Sequence, residues 1–90
     1  MARERDIERL LVERITKLGG LCIKWVSPGR RNVPDRIVLL PHGEISFVEV
    51  KAPGKIPSVG QMREHQRLRN LGFCVYLIDS EFNINCIYPL

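Results

Sequence analysis

The chain has 90 residues, enough for one small domain with one hydrophobic core. At 44% hydrophobic and 27% charged it reads as a globular domain, and no apolar run approaches the roughly 18 residues that cross a bilayer. A net charge of +4 and a pI near 9.3 permit a polyanionic partner without requiring one.

The first stretch, MARERDIERL, is charged from its third residue and is not expected to act as a secretory signal. Ile7, Leu10, Leu11, Ile15 and Leu18 recur at helical spacing, so residues 4–18 are expected to form a helix that Gly19-Gly20 ends. Leu21 to Val26 is a short β-forming run and reads as a strand. Ser27 to Pro34 is a loop, broken by two prolines, a glycine and an asparagine. Asp35 to Leu40 is the second strand, Pro41-His42-Gly43 a turn, and Ile45 to Lys51 the third strand. Together they make a β-hairpin. Ala52 to Pro57 is a second loop, after which Ser58 caps a helix reaching about Leu71. Phe73 to Ile78 is almost wholly apolar and is expected to be a strand covered on both faces. A short edge strand is expected at Ile84 to Tyr88.

The order predicts an α/β fold, αβββαβ, with a mixed sheet flanked by helices and residues 1–90 as one domain. Cys22, Cys74 and Cys86 are odd in number and contain no CxxC, which argues against disulfides and structural zinc. Their apolar neighbours predict buried, reduced thiols in a cytoplasmic protein.

The third strand holds charges where core residues belong. Glu49 and Lys51 lie two apart and project from one face, roughly 6 to 7 Å from each other. The hairpin can bring Asp35 beside Glu49. Two adjacent carboxylates repel unless a cation sits between them. Hard oxygen ligands select Mg²⁺ or Mn²⁺, and the backbone carbonyl of Val50 offers a further ligand. Such a site suits phosphodiester hydrolysis, with Lys51 steadying the water or the charge that grows on phosphorus. For an isolated E-x-K, a Glu49–Lys51 surface ion pair is the plainer alternative.

Lys24, Arg30, Arg31 and Arg36 gather within thirteen positions that hold one acid, Asp35. A solvated loop is the ordinary reading of such a run. Here the loop leads directly into Asp35, which puts Arg30 and Arg31 in reach of phosphates, and Gly29 permits close backbone approach. Trp25 could stack on a base, although a lone Trp in an apolar run is more often core.

Pro34-Asp35, thirteen residues, and then Glu49-Val50-Lys51 on a hairpin resemble the PD-(D/E)xK nuclease superfamily. SPGRRNVPDRIVLLPHG, FVEVKAPG and the following Gln61 are similar to the VRR-NUC family in its short stand-alone form, typical of phages, and the likeness covers essentially the whole chain. The resemblance implies Mg²⁺- or Mn²⁺-dependent DNA cleavage in a cytoplasm, the host's if phage-encoded. It assigns the metal to Asp35 and Glu49 and the catalytic lysine to Lys51. It adds Gln61 and a glutamate of the first helix, and it suggests a homodimer, since stand-alone members are similar to Holliday-junction resolvases. No small-molecule cofactor and no membrane are expected.

At ~100° per residue from Ile7, Glu13 falls opposite the apolar stripe, whereas Glu4 and Glu8 fall on or beside it. Family placement favours Glu8 with Glu4 in reserve, and the plain alternative for either is complementing the helix dipole. The same construction points Gln61 and His65 toward the sheet and turns Arg63, Arg67 and Asn70 to solvent. For His65 a partly buried, hydrogen-bonded role is expected before a catalytic one. The leading expectation is an endonuclease for branched DNA. A nuclease for flaps, ends or plain duplex, a non-catalytic nucleic-acid-binding module, and an interaction domain whose charges are merely solvated are the alternatives.

Overall fold

A computed structural model describes residues 3–87 of the chain. The elements are α1 (Glu4–Lys17), β1 (Leu21–Lys24), β2 (Arg36–Leu40), a 3-10 turn (Pro41–Gly43), β3 (Glu44–Val50), α2 (Val59–Asn70), β4 (Cys74–Ile78) and α3 (Glu81–Ile84). The strands form one sheet in the order β1-β2-β3-β4. The first three are antiparallel neighbours, and β4 runs parallel to β3 across the α2 connection. This is the expected mixed sheet flanked by helices.

α1 forms because its apolar residues repeat at helical spacing. Ile7, Leu11 and Ile15 are all buried, each contributing roughly 1.5 to 3 kcal/mol by leaving water. They pack with Val38, Val48, Val50 and Ile78 on one face of the sheet. The chain leaves α1 through Gly19 at φ +83° and passes so close to β2 that a Cβ on Gly20 would lie 2.5 Å from the Leu39 carbonyl oxygen.

α2 lies against the opposite face. Its start is set by Ser58, whose Oγ accepts the Gln61 N–H at 3.1 Å, while the Gln61 side chain accepts the Ser58 N–H at 2.9 Å. This reciprocal cap fixes Gln61 before it meets anything else.

Three expectations are corrected. The tail does not start a strand at Ile84. Ser80 caps the short helix α3 instead, its Oγ accepting the Asn83 N–H, and Ile84 and Ile87 are buried in the α1 core. Tyr88 lies outside the described residues. β4 is not covered on both faces, since Phe73 and Leu77 remain exposed on the side where α2 covers only part of the sheet. Cys74 and Cys86 are exposed and Cys22 is half-buried. Burial pushes the Cys22 thiol up to about 11, so that thiol does stay protonated at neutral pH.

The register aligns the α2-side face in rows. Leu21, Leu39 and Ile45 form one row, and Ile23, Ile37, Phe47 and Val75 form the next. Continuing the register by two residues reaches Asp35 and Glu49. An apolar face therefore runs straight into the charged row.

Candidate active site

Pro34 is fully buried and has no N–H to give the sheet, so strand pairing takes over directly after it. The Asp35 carbonyl accepts the Trp25 N–H at 3.0 Å, and its carboxylate Oδ2 accepts the Val50 N–H at 2.8 Å. That second bond ties the Asp35 side chain to the end of β3, where Glu49, Val50 and Lys51 follow one another. The Trp25 ring packs on Phe47, with centroids 5.0 Å apart, as a wall beside this row.

Glu49 is the centre of the arrangement. It is 1% exposed, which a carboxylate tolerates only with partners. Its Oε2 accepts from Gln61 Nε2 at 3.2 Å and lies 3.5 Å from Lys51 Nζ. Its Oε1 lies 3.3 Å from His65 Nε2. Burial, reinforced by the charge of Asp35, pushes the Glu49 carboxyl up to about 7, against the opposing pull of Lys51. His65 is held below its ordinary value, first by burial and then by Arg69. A neutral imidazole beside Glu49 leaves the carboxylate pair still short of positive charge.

The donor set fits a hard cation. Two carboxylates of adjacent strands converge, burial and then the charge of Asp35 both disfavour ionised Glu49, and every candidate ligand atom is oxygen. Among the described residues no group of three or more His, Cys, Asp and Glu side chains comes together as a metal cluster. The carboxylates would thus supply two ligands, with Val50, at the end of β3, offering its carbonyl.

The helix glutamates stand apart. Glu8 is half-buried, and its Oε2 accepts from Arg36 Nε at 2.8 Å. Arg36 also donates to the Cys22 carbonyl at 3.3 Å. Arg36 alternates with Asp35 along β2, so this pair belongs to the α1 side of the sheet. Glu4 and Glu13 are exposed. Lys24 and Arg31 are also exposed. Arg30 grips Glu64 of α2 through two parallel contacts, Nε to Oε2 and Nη2 to Oε1 at 2.9 Å. The sequence expected Arg30 to face phosphate, and Glu64 escaped notice as its partner. An arginine and a glutamate 34 residues apart leave no periodic signal. His65 was expected to be buried and hydrogen-bonded, but not to have Glu49 as its partner.

The fold and this row define a class, a nuclease domain of the PD-(D/E)xK type. No family model matches the chain. It is 52% identical over 89 residues to a phage protein named "Putative nuclease p44", from Acyrthosiphon pisum secondary endosymbiont phage 1, covering 99% of this chain and 95% of that protein. A solved structure described as a VRR_NUC domain superposes with a TM-score of 0.87 at 35% identity, covering 96% of this chain and 95% of that one. The chain belongs to the VRR-NUC family.

Proposed function

We propose that the chain is a metal-dependent endonuclease that hydrolyses DNA phosphodiester bonds. The observation that supports this best is the buried Glu49 carboxylate, set beside Asp35 and Lys51 and held on both oxygens by α2. Burying one carboxylate next to another costs stability and has no structural use here that an amide would not serve better.

Asp35, Glu49 and the Val50 carbonyl are the residues that would hold Mg²⁺ or Mn²⁺. When bound, the ion supplies Lewis-acid polarisation of the phosphoryl oxygens and a lowered pKa for water. Lys51 places an ammonium beside the same carboxylate, where it offsets the negative charge that develops on the phosphate. Gln61 and His65 keep the Glu49 oxygens in place, so little reorganisation is needed when substrate arrives. Arg31, on the loop that leads into Asp35, and Lys24, at the end of β1, are exposed cations and are assigned to the DNA backbone. Glu8 would reach the ion only if its pair with Arg36 opened, so it is assigned to anchoring α1 on β2.

The preferred substrate is branched DNA, cut by a homodimer. The apolar rows on the α2-side face support the dimer. Leu21, Ile23 and Ile45 remain 60%, 44% and 46% exposed there, on β1 and β3 with Leu39 and Ile37 of β2 between those strands. A two-fold pair meeting at this face would present two cleavage centres with fixed spacing. A panel of four-way junction, flap, nicked and linear duplex substrates tests selectivity. Faster cleavage of the junction is expected, and equal rates on all of them would remove the branched-DNA reading while leaving nuclease activity in place.

A further inference from the structure

On the flank of α2 away from Glu49, the Ser27–Pro34 loop and the helix enclose a groove of about 490 Å³. Two contacts dock the loop there. Arg30 grips Glu64, which is buried. Asn32, in a left-handed conformation at φ 65°, packs so tightly on Gly60 that a Cβ at that position would lie 2.6 Å from the asparagine Nδ2. The groove wall is thus fixed before any ligand arrives.

Around that clamp stand Arg31 from the loop and Arg63 and Arg67 from successive turns of α2. All three are exposed, and none makes an ion pair among the described residues. The one carboxylate in the groove, Glu64, is already taken by Arg30, which holds its carboxyl below the usual range. Asn70 completes the wall. Its oxygen accepts from Gln66 at 2.9 Å, which orients the amide and leaves its nitrogen as a donor. Three guanidinium groups without an ion pair of their own stand around a concave surface that holds one carboxylate, and an anion between them relieves their repulsion.

The position tells which anion. Residues 61 and 63 lie on opposite sides of α2, so the groove stands about one helix diameter, on the order of 10 Å, from Glu49. That is on the order of three nucleotide rises along a strand. The loop that forms the groove wall runs directly into Asp35, so the chain itself ties the groove to the charged row.

We propose that this groove seats the DNA backbone over successive phosphates away from the scissile bond, with Arg31, Arg63 and Arg67 each meeting one of them and the Arg30–Glu64 pair as the clamp that holds it open. The assignment rests on the nuclease reading above. It reassigns Arg30 from direct contact to positioning. It also gives α2 two jobs on opposite flanks, steadying Glu49 on one and gripping substrate on the other.

The test is fluorescence anisotropy with a labelled duplex between 50 and 200 mM salt, with EDTA keeping the DNA intact. Arg63→Ala/Arg67→Ala is expected to weaken binding at least tenfold at the low-salt end. It should also flatten the slope of log affinity against log salt by about 1.8, since each lost phosphate contact removes about 0.9. Alanine suits exposed helix positions, and circular dichroism checks the fold. Arg63→Lys/Arg67→Lys keeps the charges and should keep the slope. Arg31→Ala, outside the helix, should flatten it by about 0.9. Wild-type affinity and slope in the alanine variants, alongside Lys51-dependent cleavage by the wild type, would overturn the groove and spare the nuclease. A wild type that neither binds nor cuts DNA would overturn both.

Discussion

Gln61 donates its side-chain amide to Glu49 at 3.2 Å with the same side chain whose oxygen accepts the Ser58 N–H at 2.9 Å. One amide therefore couples the start of α2 to the buried carboxylate at the end of β3. Gln61→Ala removes both bonds. It is expected to lower stability by about 1 kcal/mol through the cap, and to lower cleavage at least tenfold through a loosened Glu49. Gln61→Glu keeps a cap acceptor but places another carboxylate against Glu49, so its metal-free form should melt below even the alanine variant at pH 8. Thermal melts and cleavage rates of the three proteins check this.

Glu49 makes the metal-free protein pH-sensitive in a direction that can be worked out. Its carboxyl is pushed from an ordinary 4.5 up to about 7, so the folded chain holds the proton more tightly than the unfolded chain. The stability linked to that proton is complete below the ordinary value and is lost as pH rises through about 7. The loss is up to about 3 kcal/mol. His65, held below its ordinary value, works in the opposite sense, losing stability as pH falls. The difference between wild type and Glu49→Gln isolates the carboxylate. In urea titrations with EDTA, Glu49→Gln should gain on the wild type as pH rises from 5 to 8, and adding Mn²⁺ should close the gap. A Glu49→Gln protein less stable than wild type at pH 8 would count against the repelling pair.

Glu8 separates two roles. As the partner of half-buried Arg36, Glu8→Gln should cost about 1 to 3 kcal/mol of stability and leave Mn²⁺ affinity within twofold of wild type. As an ion ligand it would cost at least tenfold in affinity instead. Calorimetric titration of Mn²⁺ beside a denaturation curve distinguishes them, and the Arg36 pairing predicts the first result.

The exposed rows of the sheet predict a self-association that charge can break. Ile23→Lys and Ile45→Lys each place an ammonium in the apolar face without touching the α1 core. Sedimentation equilibrium should show a dimer for the wild type and a monomer for either variant. A wild type that stays monomeric throughout the micromolar range would remove the dimer.

The sequence spoke clearly wherever a period or a chain break was at work. The α1 stripe of Ile7, Leu11 and Ile15, the Gly19-Gly20 stop, the hairpin turn and the Ser58 cap all rest on local rules, and the elements follow them within a residue or two. Glu49 and Lys51 stand out because charges interrupt a strand that should be apolar, but that alone fits a surface ion pair as well. The family likeness of the SPGRRNVPD and FVEVKAPG strings is what joins Asp35 to them as a candidate site. Pairings between distant segments were not legible. Arg30 with Glu64, Arg36 with Glu8 and His65 with Glu49 depend on where loops and helices land, and no spacing encodes that. The tail misled for a related reason. Ile84 and Ile87 fit a β pattern read alone, but α1 leaves an uncovered apolar edge that a capped helical turn fills with both. Cys74 and Cys86 were read from apolar neighbours in sequence, whereas exposure is decided by what lies above the sheet.

The central claim turns on Lys51, which touches the buried carboxylate yet is not itself a ligand. The deciding measurement is cleavage of a four-way junction by wild type and Lys51→Ala, with Mn²⁺ affinity measured on the same preparations. Removing the ammonium leaves Asp35 and Glu49 more negative, so Mn²⁺ should bind Lys51→Ala at least as tightly as the wild type. Cleavage should nevertheless fall at least a hundredfold, as expected for the loss of a charge that stabilises the transition state. A folded, Mn²⁺-binding Lys51→Ala protein that cuts the junction at the wild-type rate would contradict the account.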